Sequence, residues 1–179
     1  MRDVHTSASA YHRASARLTF ILIEEAFARY DHTPGQNTAS PGQSDFCGIT
    51  LGVESDSMLK AFLQIDTFAQ SGQIDVKRNR DDCTSWELAY LDVPDYIRDL
   101  NVFLFSTSGV GGAECKAIEA LKNVGVQENN ISIVMLECST GGYNDITTGY
   151  PIFTAALEDK QALNQCARPV RMFNYESRR

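Results

Sequence analysis

The stretch FSTSGVGGAE, Phe105 to Glu114, follows an apolar run and precedes a helix-like segment. A strand, a small-residue turn and a helix start can form an anion cradle. Backbone N–H groups and the positive end of the helix dipole then converge on one spot. Ser106, Thr107, Ser108, Gly109, Gly111 and Gly112 are therefore candidate ligand-binding residues. Two more polar segments follow apolar runs in the same way. VESDS (53–57) carries Glu54 and Asp56, and ECSTGGYND (137–145) carries Glu137, Cys138, Tyr143 and Asp145. Glu54, Asp56, Glu137 and Asp145 are candidate catalytic residues, because paired carboxylates can divide acid and base roles or hold a cation. Cys138 and Tyr143 join the ligand-binding set. The competing reading is plain: a Gly-rich turn also suits any tight strand-to-helix connection, and loop acids are often only solvated.

The elements that must position these residues follow from periodicity. Residues 13–30 (RASARLTFILIEEAFARY) predict an amphipathic helix with Leu18, Ile21 and Leu22 as its apolar stripe. Residues 31–46 are rich in Pro, Gly, Ser and Asn and predict a loop. CGITLGV (47–53) predicts a buried strand, and 55–64 a short helix with Ser55 as its N-cap. IDVKRN (74–79) and WELAYLDV (86–93) predict a hairpin around RDDCTS. The adjacent acids at that tip read as a solvated turn rather than a metal site, and Trp86 as a packing residue. VFLF (102–105) and ISIVML (131–136) predict buried strands, with a helix over 113–125 closed by Gly125 between them. ECSTGGYND reads as a loop, and 151–157 begins a last strand. Strands alternating with helices imply one α/β domain over 1–179, with a mostly parallel sheet flanked by helices and a β-hairpin arm. The three polar segments then share the carboxyl edge of that sheet, where ligands bind in such folds.

Composition narrows the function. The chain has 179 residues, enough for one sizeable core, and a net charge of −7. That sign disfavours nucleic acid and anionic membranes as partners. No apolar run approaches the about 18 residues of a membrane span, and the polar start MRDVHTSASAYHR resembles no secretory leader, so the expected compartment is the cytoplasm. Cys47, Cys83, Cys115, Cys138 and Cys166 are odd in number and widely spaced, which favours reduced thiols over disulfides or zinc.

The order of several segments resembles the uracil phosphoribosyltransferases, a branch of the type I phosphoribosyltransferase fold. The opening 26 residues match the family's first helices, with Arg2, Asp3, Thr6, Arg17, Leu18, Glu24 and Glu25 in register. NTASPG (37–42), CGITLGVESDSM, ELAYLDVPDYI, ECKAIEALKNVGV and IFTAALEDK continue the likeness over most of the chain. The resemblance implies phosphoribosyl pyrophosphate and uracil as ancestral substrates, magnesium as the one cofactor it allows, and a homodimer.

Departures from the pattern fall on the working parts. Ser106 stands where the family has an Asp facing the ribose, and Val110 where a Thr would meet the phosphate, in a loop one residue shorter. Val53, Glu54 and Ser55 stand where the family grips pyrophosphate with an Arg, a small residue and Gly. A Gly-rich uracil loop has no counterpart in LNQCARPVRMFNY (163–175), although Arg171, Met172 and Phe173 resemble residues that follow it. The expectation is a diverged relative that has lost uracil transfer and binds or converts another small molecule, phosphorylated or diphosphate-bearing, at the strand edge. The alternatives are a catalytically inactive regulatory or assembly protein, and an active transferase making uridine monophosphate.

Overall fold

The computed structural model describes residues 7–31, 44–82, 84–146 and 149–158. Helix α1 (Ala8–Asp31) leads into β1 (Phe46–Leu51), α2 (Asp56–Ile65), β2 (Gln70–Arg78) and β3 (Trp86–Asp92). Then come β4 (Asn101–Gly109), α3 (Gly112–Asn123), β5 (Ile131–Ser139), α4 (Thr140–Ile146) and β6 (Ile152–Glu158). The strands form one sheet in the order β3-β2-β1-β4-β5-β6. Every pairing is parallel except β2 with β3, the hairpin arm. The chain runs from β1 outward to β2 and β3, then returns to the other side of β1 with β4. That reversal is a topological switch, and it places the ends of β1 and β4 on either side of one crevice.

Alternation along β4 explains the layers. Val102 and Leu104 join Ile131, Ile133 and Met135 of β5 beneath Ala117, Ile118 and Leu121 of α3. Phe103 and Phe105 point the other way, with Val134 and Leu136, to meet Ile23, Ala26 and Tyr30 of α1 and Met58 and Phe62 of α2. Both faces of the central strands are buried, which is why they read as continuous apolar runs. Tyr30 carries a polar atom into the second layer, where its hydroxyl pairs with Ser132 at 3.0 Å. Helix α3 ends as its sequence predicts. Gly125 takes φ 98°, donates to Lys122 O, and the following Val126 N–H reaches back to Leu121 O.

Four local expectations are corrected. The buried face of α1 is Thr19, Ile23, Ala26 and Tyr30, while Leu18 and Ile21 are 42% and 63% exposed. Ser55 does stand at the N-cap position of α2, but its side chain makes no capping hydrogen bond; it is buried and its hydroxyl donates to Leu51 O instead. Residues 140–146 form helix α4 rather than a loop. The strands β2, β4 and β5 also extend into polar sequence, because ladder pairing continues through Ser108 with Glu137 and Gly109 with Cys138. Arg2, Asp3, Thr6, the segments 37–42 and 163–175, Cys83, Cys166, and the histidines at 5 and 32 lie outside the described residues. Among the described residues, no helix is long and apolar enough to cross a membrane.

Candidate functional site

The segment 106–112 is mostly strand. Ser106 to Gly109 complete β4, and only Val110 and Gly111 separate it from α3. Gly111 sits at φ 98°, a conformation that favours glycine, and forms the N-cap of α3. Its N–H does not point at an open crevice. It donates to Glu114 Oε2 at 3.0 Å, and Ser106 Oγ donates to Glu114 Oε1 at 2.8 Å. Glu114 is 1% exposed and Ser106 5%. The acid three residues into the helix thus folds back on its own N-terminus, half of a capping box, and also takes the hydroxyl at the end of β4. Two favourable donors that an anion cradle would present are already used by a side chain of the protein itself.

Helix α4 closes over the same turn. A Cβ on Gly142 would lie 2.6 Å from Val110 C and 2.8 Å from Gly111 N, so only glycine lets α4 seat there. Ser139 Oγ accepts the Gly142 N–H at 3.0 Å and fixes the start of that helix. Asp145 is next to the turn: a Cβ on Gly111 would stand 2.8 Å from its Oδ2. Trp86, at the start of β3, lies against Gly112, where an added Cβ would collide with the indole Nε1. Arg78 stacks over that indole, 4.9 Å from the ring centroid.

The structure therefore brings Ser106, Gly109, Gly111, Gly112, Cys138 and Asp145 into one neighbourhood around the end of β4. Gly109 is held there by the sulfurs of Met135 and Cys138, 2.5 and 3.3 Å from where its Cβ would be. Thr107 is half-buried, Ser108 exposed, and Glu137 half-buried on β5 opposite Ser108 and Ala156. Tyr143 packs against the larger core cluster. Glu54 and Asp56 occupy the neighbouring β1–α2 turn, Glu54 exposed and Asp56 also exposed at the start of α2. Glu54 folds over Gly52, its Oε2 2.7 Å from that residue's Cβ position. Among the described residues no hydrogen bond or ion pair joins Glu54 or Asp56 to the β4–α3 turn.

The thiols report the charge of the site. Burial pushes the Cys138 thiol up, and the Glu114 carboxylate adds to the shift. Burial also raises Cys115, helped by Asp145 and Glu114. Neither sulfur has the cation or unopposed helix terminus that makes a reactive thiolate. No Lys or Arg occurs in 52–57 or 106–112, and Val53 and Val110 stand exposed at the two turns. Among the described residues no group of three His, Cys, Asp or Glu is arranged to hold a metal ion. The site as described does not fit a magnesium ion held by the protein alone.

Glu114 is the residue whose role was hardest to read from sequence, where it stands only as the last residue of FSTSGVGGAE. The signal was present: Gly111 followed three residues later by Glu is a helix-start pattern. Trp86 gave no comparable signal, because only the fold brings the hairpin arm beside α3.

The comparisons with known proteins agree with this architecture. The family model described as uracil phosphoribosyltransferase matches residues 1–167. A uracil phosphoribosyltransferase of Lachancea kluyveri is 26% identical over 170 residues, covering 88% of this chain and 78% of that protein. Among solved structures, a protein from Aquifex aeolicus superposes with a TM-score of 0.66 at 15% identity, over 86% of this chain and 78% of that one. A hypoxanthine phosphoribosyltransferase from Trypanosoma cruzi, complexed with its product IMP, gives 0.57 at 10% identity, over 80% and 73%. A Neisseria gonorrhoeae protein with bound ppGpp gives 0.56 at 13%, over 86% and 81%. With a matching model over nearly the whole chain and a phosphoribosyltransferase sheet built around the β1–β4 crevice, the chain belongs to the uracil phosphoribosyltransferase family.

Proposed function

We propose that this family member no longer transfers phosphoribosyl groups to uracil and works as a non-catalytic binding protein on the transferase fold. One observation carries the reading. The Glu114 carboxylate is buried in the β4–α3 turn and takes both the Gly111 N–H and the Ser106 hydroxyl. A phosphate entering that turn would find its donors taken and a negative charge in their place. Like charges at hydrogen-bond distance in a water-poor site repel strongly, so the phosphate is excluded. The neighbouring turn reinforces the effect, since Val53 supplies no cation and Glu54 and Asp56 add negative charge.

A second reading has its own support. Ser108 and Glu137 stand opposite each other in the β4–β5 ladder, Asp145 lies beside the β4–α3 turn, and neighbours of the same fold carry IMP or ppGpp. A small ligand other than phosphoribosyl pyrophosphate, binding by polar groups outside the turn, suits that arrangement. Any diphosphate ligand would have to bring magnesium on its own oxygens.

The deciding experiment incubates the full chain with uracil, phosphoribosyl pyrophosphate and magnesium, and follows uridine monophosphate by chromatography. The expected result is no product above the protein-free rate, and no heat in a calorimetric titration with the pyrophosphate. Steady turnover to uridine monophosphate would overturn the proposal. Binding of the pyrophosphate without turnover would show that Glu114 does not exclude phosphate from the turn, and would overturn that part of the proposal.

A further inference from the structure

A second groove lies apart from the β4–α3 turn, between α1 and α2. Residues 12, 15, 16 and 19 line it from α1, and residues 57, 60, 61 and 64 from α2. The same steps of three, one and three recur on both helices, so each turns one face to a shared trough. Its volume is about 250 Å³, less than a drug-sized ligand fills.

Floor and rim differ in chemistry. Ala61 is 7% exposed and Thr19 3%, and with the half-buried Phe20 they make a largely apolar floor. The rim is polar. Lys60, His12, Ser57 and Gln64 are exposed and Ser15 is half-buried. Among the described residues, none of these five side chains makes a hydrogen bond or an ion pair; His12 meets only the Tyr11 ring, edge-on. All five can donate a hydrogen bond, so an acceptor between the helices would meet donors from both.

Charge sets the kind of acceptor. Helix α1 carries no acid before Glu24, and the one acid of α2 is Asp56, four residues before Lys60. The groove therefore offers one permanent cation, Lys60, in a chain whose net charge is −7. A single negative charge is matched there. A phosphate dianion would leave one charge unmatched near Asp56, and inorganic phosphate has nothing to lay on the apolar floor.

We infer that the α1–α2 groove binds a small organic carboxylate, one negative charge on an apolar body. Lys60 pairs with the carboxylate, hydroxyl and amide groups of Ser15, Ser57 and Gln64 supply further donors, and the body rests on Phe20 and Ala61. The site shares no residue with the β4–α3 turn, so it stands whether or not that turn admits phosphate.

Benzoate titrated into the isotope-labelled full chain tests this by amide chemical shifts. Amides of residues 12–20 and 57–64 should move and saturate, with a dissociation constant of about 1 mM, the scale for a ligand of so few atoms. Lys60→Gln should raise that constant by about tenfold or more, the loss of one charge-assisted contact. Lys60→Arg keeps the charge and should keep the binding. Ala16→Leu, at an exposed position, puts a side chain into the groove; it should block benzoate and leave the far-ultraviolet dichroism spectrum unchanged. Benzamide has the shape without the charge and should bind the parent chain as weakly as benzoate binds Lys60→Gln. Inorganic phosphate should leave the groove amides in place. The inference is overturned if benzoate moves neither helix, if Lys60→Gln binds it as the parent does, or if phosphate moves the same amides.

Discussion

At the scale of single residues, Glu114 decides what the β4–α3 turn can do. A carboxylate that is 1% exposed must have its lone pairs satisfied, and the Gly111 N–H and Ser106 hydroxyl satisfy them. Removing it leaves a buried N–H and a buried hydroxyl unpaired. Glu114→Ala should therefore cost about 2–4 kcal/mol in urea unfolding, the range for losing charge-assisted hydrogen bonds and stranding their partners. Glu114→Gln keeps an acceptor oxygen and should cost less. The variant also tests the electrostatic reading. With the carboxylate gone, the turn regains a free N–H at a helix start and sheds a negative charge. Inorganic phosphate should then raise the urea midpoint of Glu114→Ala while leaving that of the parent chain unmoved. Equal response of both proteins would show that Glu114 does not guard the turn.

At the scale of elements, the turn is shaped by what packs on it. Helix α4 comes within contact of Val110 and Gly111 only because residue 142 lacks a side chain. Gly142→Ala would force a methyl group against backbone atoms that cannot rotate away, so α4 has to shift. The expected loss is about 1–3 kcal/mol, the range for overpacking, even though alanine is the better helix former. A gain in stability on chemical denaturation would show that α4 is not seated on the turn. The same helix shows where sequence reading stops. TGGYND carries two glycines and no apolar periodicity, so it reads as loop; contact with β5 and the β4–α3 turn makes it helical. The central strands and α3 were legible because their signals are local: continuous apolar runs, and a glycine at a helix end. The buried face of α1 was not. Leu18 and Ile21 outweigh Thr19 and Ala26 in hydrophobicity, yet the close approach to β5 suits the smaller pair. Of the candidate site, the glycine turn and its place at the strand edge could be read from spacing. The inward Glu114 and the neighbouring Trp86 depend on contacts between distant segments.

At the scale of the whole molecule, two hydrophobic clusters lie on opposite faces of one sheet and share its strands. Phe103 anchors the face under α1 and α2, within ring contact of Phe27, Tyr30, Phe46, Phe62 and Phe105. Leu104, its neighbour in β4, belongs to the cluster under α3. A strand cannot lose one face and keep the other, because the backbone ladder that holds both is the same. The two clusters should therefore unfold as one cooperative unit. The single tryptophan offers a local reporter, since Trp86 lies against Gly112 at the start of α3, on the face opposite Phe103. Phe103→Leu removes aromatic contacts from the first face alone and should cost about 1–3 kcal/mol. For a chain of this size that lowers the Tm by about 2–4 °C per kcal/mol. Trp86 fluorescence and far-ultraviolet dichroism should report the same lowered Tm, although the substitution touches nothing near the indole. If the Trp86 transition stayed in place while the dichroism shifted, the two faces would be separate folding units, and the crevice between β1 and β4 would rest on the α3 face alone.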